Sequence, residues 1–155
     1  MIICLATNNS HKIEEIKQVL GTAHEVRTLK EIGCNEELPE TGDTLEANSL
    51  QKASYIYEKY HMQCIADDSG LEILELSGKP GVDSAHYAGP QRNADDNMQK
   101  VLLELDQISA KHRQALFKTV ITYINTQGVA QQFVGMVEGV ILNEKRGSQG
   151  FGYDP

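Results

Sequence analysis

The sequence predicts a single α/β domain, because short apolar runs alternate with amphipathic stretches along the chain. Three observations carry this reading. An unbroken apolar run over residues 1–6 is followed closely by apolar residues at helical spacing. A strong helical pattern over residues 44–60 feeds directly into a second apolar run starting at Cys64. Residues 115–124 and 129–142 are β-branched and alternate in polarity, as strands do. This order fits an α/β fold without deciding how the sheet is built. One domain is the default for 155 residues, and a chain of that size buries roughly 70% of its unfolded surface.

The run at residues 1–6 has the continuous apolar character of a strand buried on both faces. It ends in Thr7-Asn8-Asn9-Ser10-His11-Lys12, after which Ile13, Ile16, Val19 and Leu20 recur at helical spacing. Glu14 and Glu15 are expected in the first turn, where the helix dipole favours them. Strand, polar turn and helix start can present N–H groups to a phosphate. The glycines of a P-loop or dinucleotide fingerprint are absent, however, and by themselves these residues read as a helix capped by Asn9 or Ser10. Residues 25–29 read as a second short strand and 33–43 as an acidic loop. Asp43 is expected to cap the helix at 44–60, with Glu46 completing a capping box. Leu45, Ser49, Lys52, Ala53, Ile56 and Tyr60 fall near one face of it. Lys52, on the edge of that stripe, either lays its stem over apolar surface or aims a cation at the aspartates that follow.

Those aspartates lie in Cys64-Ile65-Ala66-Asp67-Asp68-Ser69-Gly70-Leu71. The expected arrangement is a buried strand that stops near Ala66, with Ser69 and Gly70 turning the backbone. Adjacent carboxylates repel and cost desolvation unless a proton or cation relieves them. A divalent metal does this well, because hard cations prefer carboxylate oxygens. The plainer reading is an Asp-rich turn after a strand. Residues 77–90, rich in glycine and proline, read as a long loop of the kind that is functional or mobile. An amphipathic helix over 94–105 carries Met98, Val101, Leu102 and Leu105. Asn125-Thr126-Gln127-Gly128 joins the two alternating stretches into a hairpin, and the chain closes on the loop Gly147-Ser148-Gln149-Gly150-Phe151-Gly152-Tyr153-Asp154-Pro155.

A net charge of −8 argues against nucleic-acid and anionic-membrane surfaces, both of which need clustered Lys and Arg. A polyphosphate site must then be a local exception, built from a few lysines and a metal. No stretch approaches the roughly 18 apolar residues of a membrane span, and no signal peptide precedes the first strand. Cys4, Cys34 and Cys64 are odd in number and far apart, which suits reduced, buried thiols in a cytoplasmic protein. The histidines show no zinc-ligand spacing.

Several blocks stand in one order: Thr7-x-Asn9-x-x-Lys12; Glu40-Thr41-Gly42 with Glu46-x-Asn48-x-x-x-Lys52-Ala53; Ala66-Asp67-Asp68-Ser69-Gly70-Leu71; Pro80-Gly81-Val82 with Ser84-Ala85 and Tyr87-Ala88-Gly89; and Gly150-Phe151-Gly152-Tyr153-Asp154-Pro155. Together they resemble the inosine/xanthosine triphosphate pyrophosphatase family, which hydrolyses non-standard purine nucleoside triphosphates to the monophosphate and pyrophosphate with Mg²⁺. The resemblance implies an α/β fold with an elongated mixed β-sheet flanked by helices, two lobes with a central cleft, and a homodimer. By position, Asp68 resembles the general base and a metal ligand, and Glu40 the second metal carboxylate. Thr7, Asn8, Asn9, Ser10, His11, Lys12, Lys52 and Ser69 resemble the triphosphate-gripping groups. Phe151, Gly152, Tyr153 and Asp154 resemble the segment lining the base pocket. Loss of Lys12 or Lys52 is expected to weaken triphosphate binding and leave the fold intact.

The chain departs from the family pattern at Asp83, where an aromatic residue is common, and at His86, where arginine is. The family pattern also continues past Pro155, with a further lysine and a Ser-His-Arg motif, so the expected domain over residues 1–155 lacks that segment. Two rival readings remain. A phosphatase using Asp67 or Asp68 as nucleophile is disfavoured because the Asp-x-Asp spacing of that chemistry is missing. A nucleotide-binding protein without turnover is separated by tight binding that releases no pyrophosphate.

Overall fold

The protein is described from a computed structural model that covers residues 1–148 and 150–155 in describable form; Gln149 of the closing loop lies outside the described residues. Strands β1 (Ile2–Leu5), β2 (Glu25–Thr28), β3 (Cys64–Ile73), β4 (Lys79–Pro80), β5 (Gln114–Ile124) and β6 (Ala130–Val140) alternate with helices α1 (Ser10–Leu20), α2 (Leu45–Tyr60) and α3 (Ala94–Gln107). The strands form an open mixed sheet in the order β2-β1-β3-β5-β6, with β4 beside β3. β1 runs parallel to β2, Ile2 opposite Glu25, and parallel to β3, Cys4 opposite Cys64. Parallel neighbours need crossovers, and α1 and α2 supply them. β4 pairs antiparallel with β3 through Glu72 and Pro80. Asn125 closes the β5–β6 hairpin, its N–H donating to Val129 O at 3.1 Å.

The largest departure from expectation is β3. It does not stop at Ala66; it runs unbroken for ten residues, and Asp67, Asp68, Ser69 and Gly70 lie inside it rather than in a turn. Its first and last residues, Cys64 and Ile73, are both fully buried. The helix caps differ too. Asn9 caps α1, its Oδ1 accepting from the N–H groups of His11 (3.0 Å) and Lys12 (3.3 Å). The helix therefore starts at Ser10, and Glu14 and Glu15 fall beyond its first turn. Its apolar stripe is only partly covered, with Val19 86% exposed. α2 is capped by Thr44, not Asp43: Thr44 Oγ1 accepts from Ala47 N–H at 3.1 Å, because Thr44 is extended and Leu45 is the first residue wound into the helix. Residues 77–90 are more regular than a loop, holding β4 and a 3₁₀ segment at Gly81–His86.

The chain forms two compact units, the first from Met1–Asp68 with Val120–Val134 and the second from Ser69–Thr119 with Gly135–Pro155. The first unit packs Cys4, Ala6, Leu29, Ala53, Ile56, Cys64, Ala66 and Ile124 into one core. Its cysteines are free, and burial pushes the Cys4 and Cys64 thiols up to about 12, so they stay un-ionised at neutral pH. Ser49 Oγ donates to Ala66 O at 3.1 Å and lies 2.7 Å from Thr122 Oγ1, which ties α2 to β3 just before the aspartates. The second unit's core is Leu71, Ile73, Val101 and Leu105, roofed in part by Tyr87 and Tyr153. Leu105 is fully buried there. Leu105→Ala is expected to cost about 2–5 kcal/mol by transfer plus cavity terms, read from the urea midpoint of ligand-free protein. Among the described residues no helix is long and apolar enough to cross a membrane.

Candidate active site

The chemistry-bearing groups of the first unit meet around the middle of β3. β1 ends at Leu5, and the residues after it reach α1 by a short polar turn in which Thr7 Oγ1 accepts from Asn9 N–H at 3.2 Å. Asn9's own side chain is taken up by the cap, while Asn8, Ser10 and His11 are exposed. Lys12, in the first turn of α1, donates from its ammonium to Asp67 Oδ2. Asp67 is nearly buried, with its side chain 5% exposed. A carboxylate that deep needs a partner, and a lysine on the neighbouring helix meets the need.

Asp68 and Lys52 make the second pairing. Lys52 Nζ lies 2.5 Å from Glu40 Oε1 and 3.6 Å from Asp68 Oδ1, with its own side chain 8% exposed. α2 places Lys52 one turn beyond Ser49, whose hydroxyl sets the helix against β3. The loop carrying Glu40 is latched to the same helix. Thr41 N–H donates to Gln51 Oε1 at 2.9 Å, Gln51 Nε2 donates to Thr41 Oγ1 at 2.9 Å, and Gly42 N–H donates to Asn48 Oδ1 at 2.7 Å. Gly42 is required there: a Cβ would stand 2.7 Å from the Cβ of Ala47. Asp68 is held above the ordinary carboxylate range, first by burial, with Glu40 adding to the rise; Lys52, a hydrogen bond from Asn48 and Lys12 oppose it. Its Oδ2 is buried and has no hydrogen-bond partner among the described residues. Such an atom suits a cation, since the carboxylate's main difficulty is lost solvation.

Ser69 and Phe151, Gly152, Tyr153 and Asp154 belong to the second unit. Ser69 Oγ lies 2.9 Å from Thr119 Oγ1. The Phe151–Asp154 turn is self-braced, Phe151 N–H donating to Asp154 Oδ2 at 3.0 Å and Asp154 N–H to Phe151 O at 3.2 Å. Gly150, at φ +82°, admits the carboxylate, which a Cβ would meet at 2.3 Å. Tyr153 joins the core, its hydroxyl donating to Ser84 O at 2.9 Å. Burial raises its phenol, so it stays a neutral donor.

The Ham1 family model matches residues 3–155, nearly the whole chain. The chain belongs to the Ham1 family. A protein from Flavobacterium johnsoniae named dITP/XTP pyrophosphatase is 48% identical over 155 residues, which is all of this chain and 79% of that relative. One of the same name from Bacillus subtilis is 43% identical over 152 residues, 97% of this chain and 77% of its own. Among solved structures, the Staphylococcus aureus Ham1 protein superposes with a TM-score of 0.90 at 36% identity, covering 100% of this chain and 79% of that one. A HAM1 protein from Coxiella burnetii gives 0.91 at 35% identity, covering 100% and 80%.

Three residues of this Ham1-family chain were not singled out by sequence reasoning for the roles they take. Asp67 is the counter-ion of Lys12, Asn48 joins the Glu40 loop to Asp68, and Gln51 clamps Thr41. Asp67 stood beside Asp68 in the motif and Asn48 one turn before Lys52, so both were visible; Gln51 carried no signal. The two departures from the family pattern, Asp83 and His86, face each other, His86 Nε2 lying 3.3 Å from Asp83 Oδ1.

Proposed function

We propose that this Ham1-family chain hydrolyses non-standard purine nucleoside triphosphates, of the dITP and XTP kind named for its relatives, to the monophosphate and pyrophosphate. One observation carries the reading at the level of residues: Lys12, Asp67, Lys52, Glu40 and Asp68 interleave two ammonium groups with three carboxylates on β3 and the elements beside it. Against a net charge of −8, those lysines are the local exception that a triphosphate needs.

Asp68 acts as general base. Its carboxylate takes a proton from the attacking water as the anhydride between the α- and β-phosphorus opens, and pyrophosphate leaves. A carboxylate held above its ordinary range by burial is a stronger proton acceptor than an exposed one. Lys12 and Lys52 place their charges on phosphate oxygens, where negative charge builds as the bond breaks. Asn48, through Gly42, and Gln51, through Thr41, keep the Glu40 loop against α2. Thr7 through His11 offer the start of α1 to the phosphates.

Mg²⁺ is the ion this reading calls for, held by Glu40 and Asp68. The buried, unpartnered Oδ2 of Asp68 fits it. Among the described residues no three His, Cys, Asp or Glu side chains form a ready metal cage. Magnesium is held by one or two carboxylates, with water and phosphate oxygens around the rest of the ion. When bound, the ion would neutralise phosphate charge and make the attacking water easier to deprotonate. The protein acts in the cytoplasm, consistent with its free, buried thiols. It acts as a homodimer: Phe133, Met136, Val137 and Val140 on β6 are each more than half exposed, apolar area of the kind an interface covers.

The test is product analysis with Mg²⁺ on a panel of inosine, xanthosine, adenosine and guanosine triphosphates and their deoxy forms. Pyrophosphate released fastest from the inosine and xanthosine members is the expected result. Orthophosphate as first product, or tight binding with no release, overturns the reading.

A further inference from the structure

The ammonium of Lys52 stands between two carboxylates. Its Nζ is 2.5 Å from Glu40 Oε1 and 3.6 Å from Asp68 Oδ1, and the side chain is 8% exposed. Glu40 and Asp68 are the carboxylates assigned above to magnesium, and the inference rests on that assignment. Like charges so close in a partly buried place repel strongly, because little water screens them. An ammonium and a divalent ion therefore do not share both carboxylates.

We propose that Lys52 is a resident competitor for the metal, so that the ion binds well only with a polyphosphate that draws the ammonium away. A lysine suits this exchange. Its charge is a compact point on a flexible four-carbon stem, with donors that satisfy a phosphate oxygen as readily as a carboxylate. With Lys52 turned to the phosphate, Glu40 and Asp68 are left to the ion. Lys12 on Asp67 repeats the arrangement one residue earlier on β3. Ion and nucleotide then assist each other through the protein, beyond the affinity they have for one another in solution, and the assistance is reciprocal. Metal alone meets a lysine in its place.

Mn²⁺ titrated into nucleotide-free protein, with unbound ion followed by electron paramagnetic resonance, tests this. Wild type is expected to bind Mn²⁺ weakly. Lys52→Met, with the competing charge gone, is expected to bind it at least about tenfold tighter. Lys52→Arg keeps the charge and stays weak. Lys59→Met removes a lysine from the same helix, one paired 2.6 Å from Glu36 Oε1, and changes the affinity by less than about twofold. Should Lys52→Met lose its helical circular dichroism, Lys52→Gln carries the same expectation. Wild type binding Mn²⁺ as tightly as the neutral variant, or a neutral variant binding no tighter, overturns the proposal. Either result leaves pyrophosphate release by wild type untouched, whereas failure of the functional reading appears as no pyrophosphate from any nucleotide.

Discussion

Asp68→Asn is expected to lower the rate of pyrophosphate release by about 10²–10⁴-fold, the usual worth of one positioned base, with little change in nucleotide affinity measured without divalent ion. Asparagine keeps the shape of the side chain on β3 but accepts no proton from water. The same variant has a second signature. Burial raises Asp68 above its ordinary range, so its protonated form is the one the fold favours. A group raised on folding contributes stability that is present below its unfolded value and lost as pH rises through its folded value. Near neutral pH the ionised side chain is thus a burden, and the amide removes it. Ligand-free Asp68→Asn should melt at or above wild type near about pH 8, and the difference should shrink towards about pH 4. Steady-state kinetics with calorimetry across pH reads both. A variant retaining half the activity moves the base to Asp67.

Lys12→Ala is expected to raise the Michaelis constant by about 10–100-fold, as befits losing a charge-assisted hydrogen bond to phosphate. From sequence, this lysine was expected to serve the ligand alone. Its pairing with Asp67 adds a cost to the fold, because removing the ammonium leaves a carboxylate that is 5% exposed without that counter-charge. Lys12 itself is 20% exposed, so solvent softens the loss to about 1–3 kcal/mol. The double variant Lys12→Ala/Asp67→Asn separates the two effects. Its urea midpoint should return towards wild type while the Michaelis constant stays high. A double variant that recovers substrate affinity as well shows that Lys12 acts on binding only by holding Asp67 in place.

Hydrophobic periodicity made the elements legible. The apolar run at β1, the stripe of α2 and the alternation of β5 and β6 are local patterns, and each element formed close to where its pattern lay. The caps were less legible. Asp43 and Thr44 are both competent acceptors, and the choice fell to Thr44 because Leu45 is buried against the core. β3 was misread at its centre for a related reason. Two aspartates, a serine and a glycine resemble a turn when read alone. In the folded chain Lys12 pairs with Asp67, Lys52 faces Asp68, Ser69 pairs with Thr119, and the strand continues to Ile73.

Residue types and their order thus determined the family, the α/β class, and Lys12, Glu40, Lys52 and Asp68 as the groups to watch. For the family and those four groups this came through the resemblance of the ordered motifs to the family pattern; periodicity carried the α/β class. Which charge faces which was decided by the tertiary structure alone. Lys12 and Asp67 are 55 positions apart and Lys52 and Glu40 are 12, and no local pattern encodes such pairings. They follow from β1 lying parallel to β3, which sets α1 beside Asp67, and from the hydrogen bonds of Gln51 and Asn48, which hold Glu40 over α2. Electrostatic energy depends on distance and burial, and only the fold sets those two quantities.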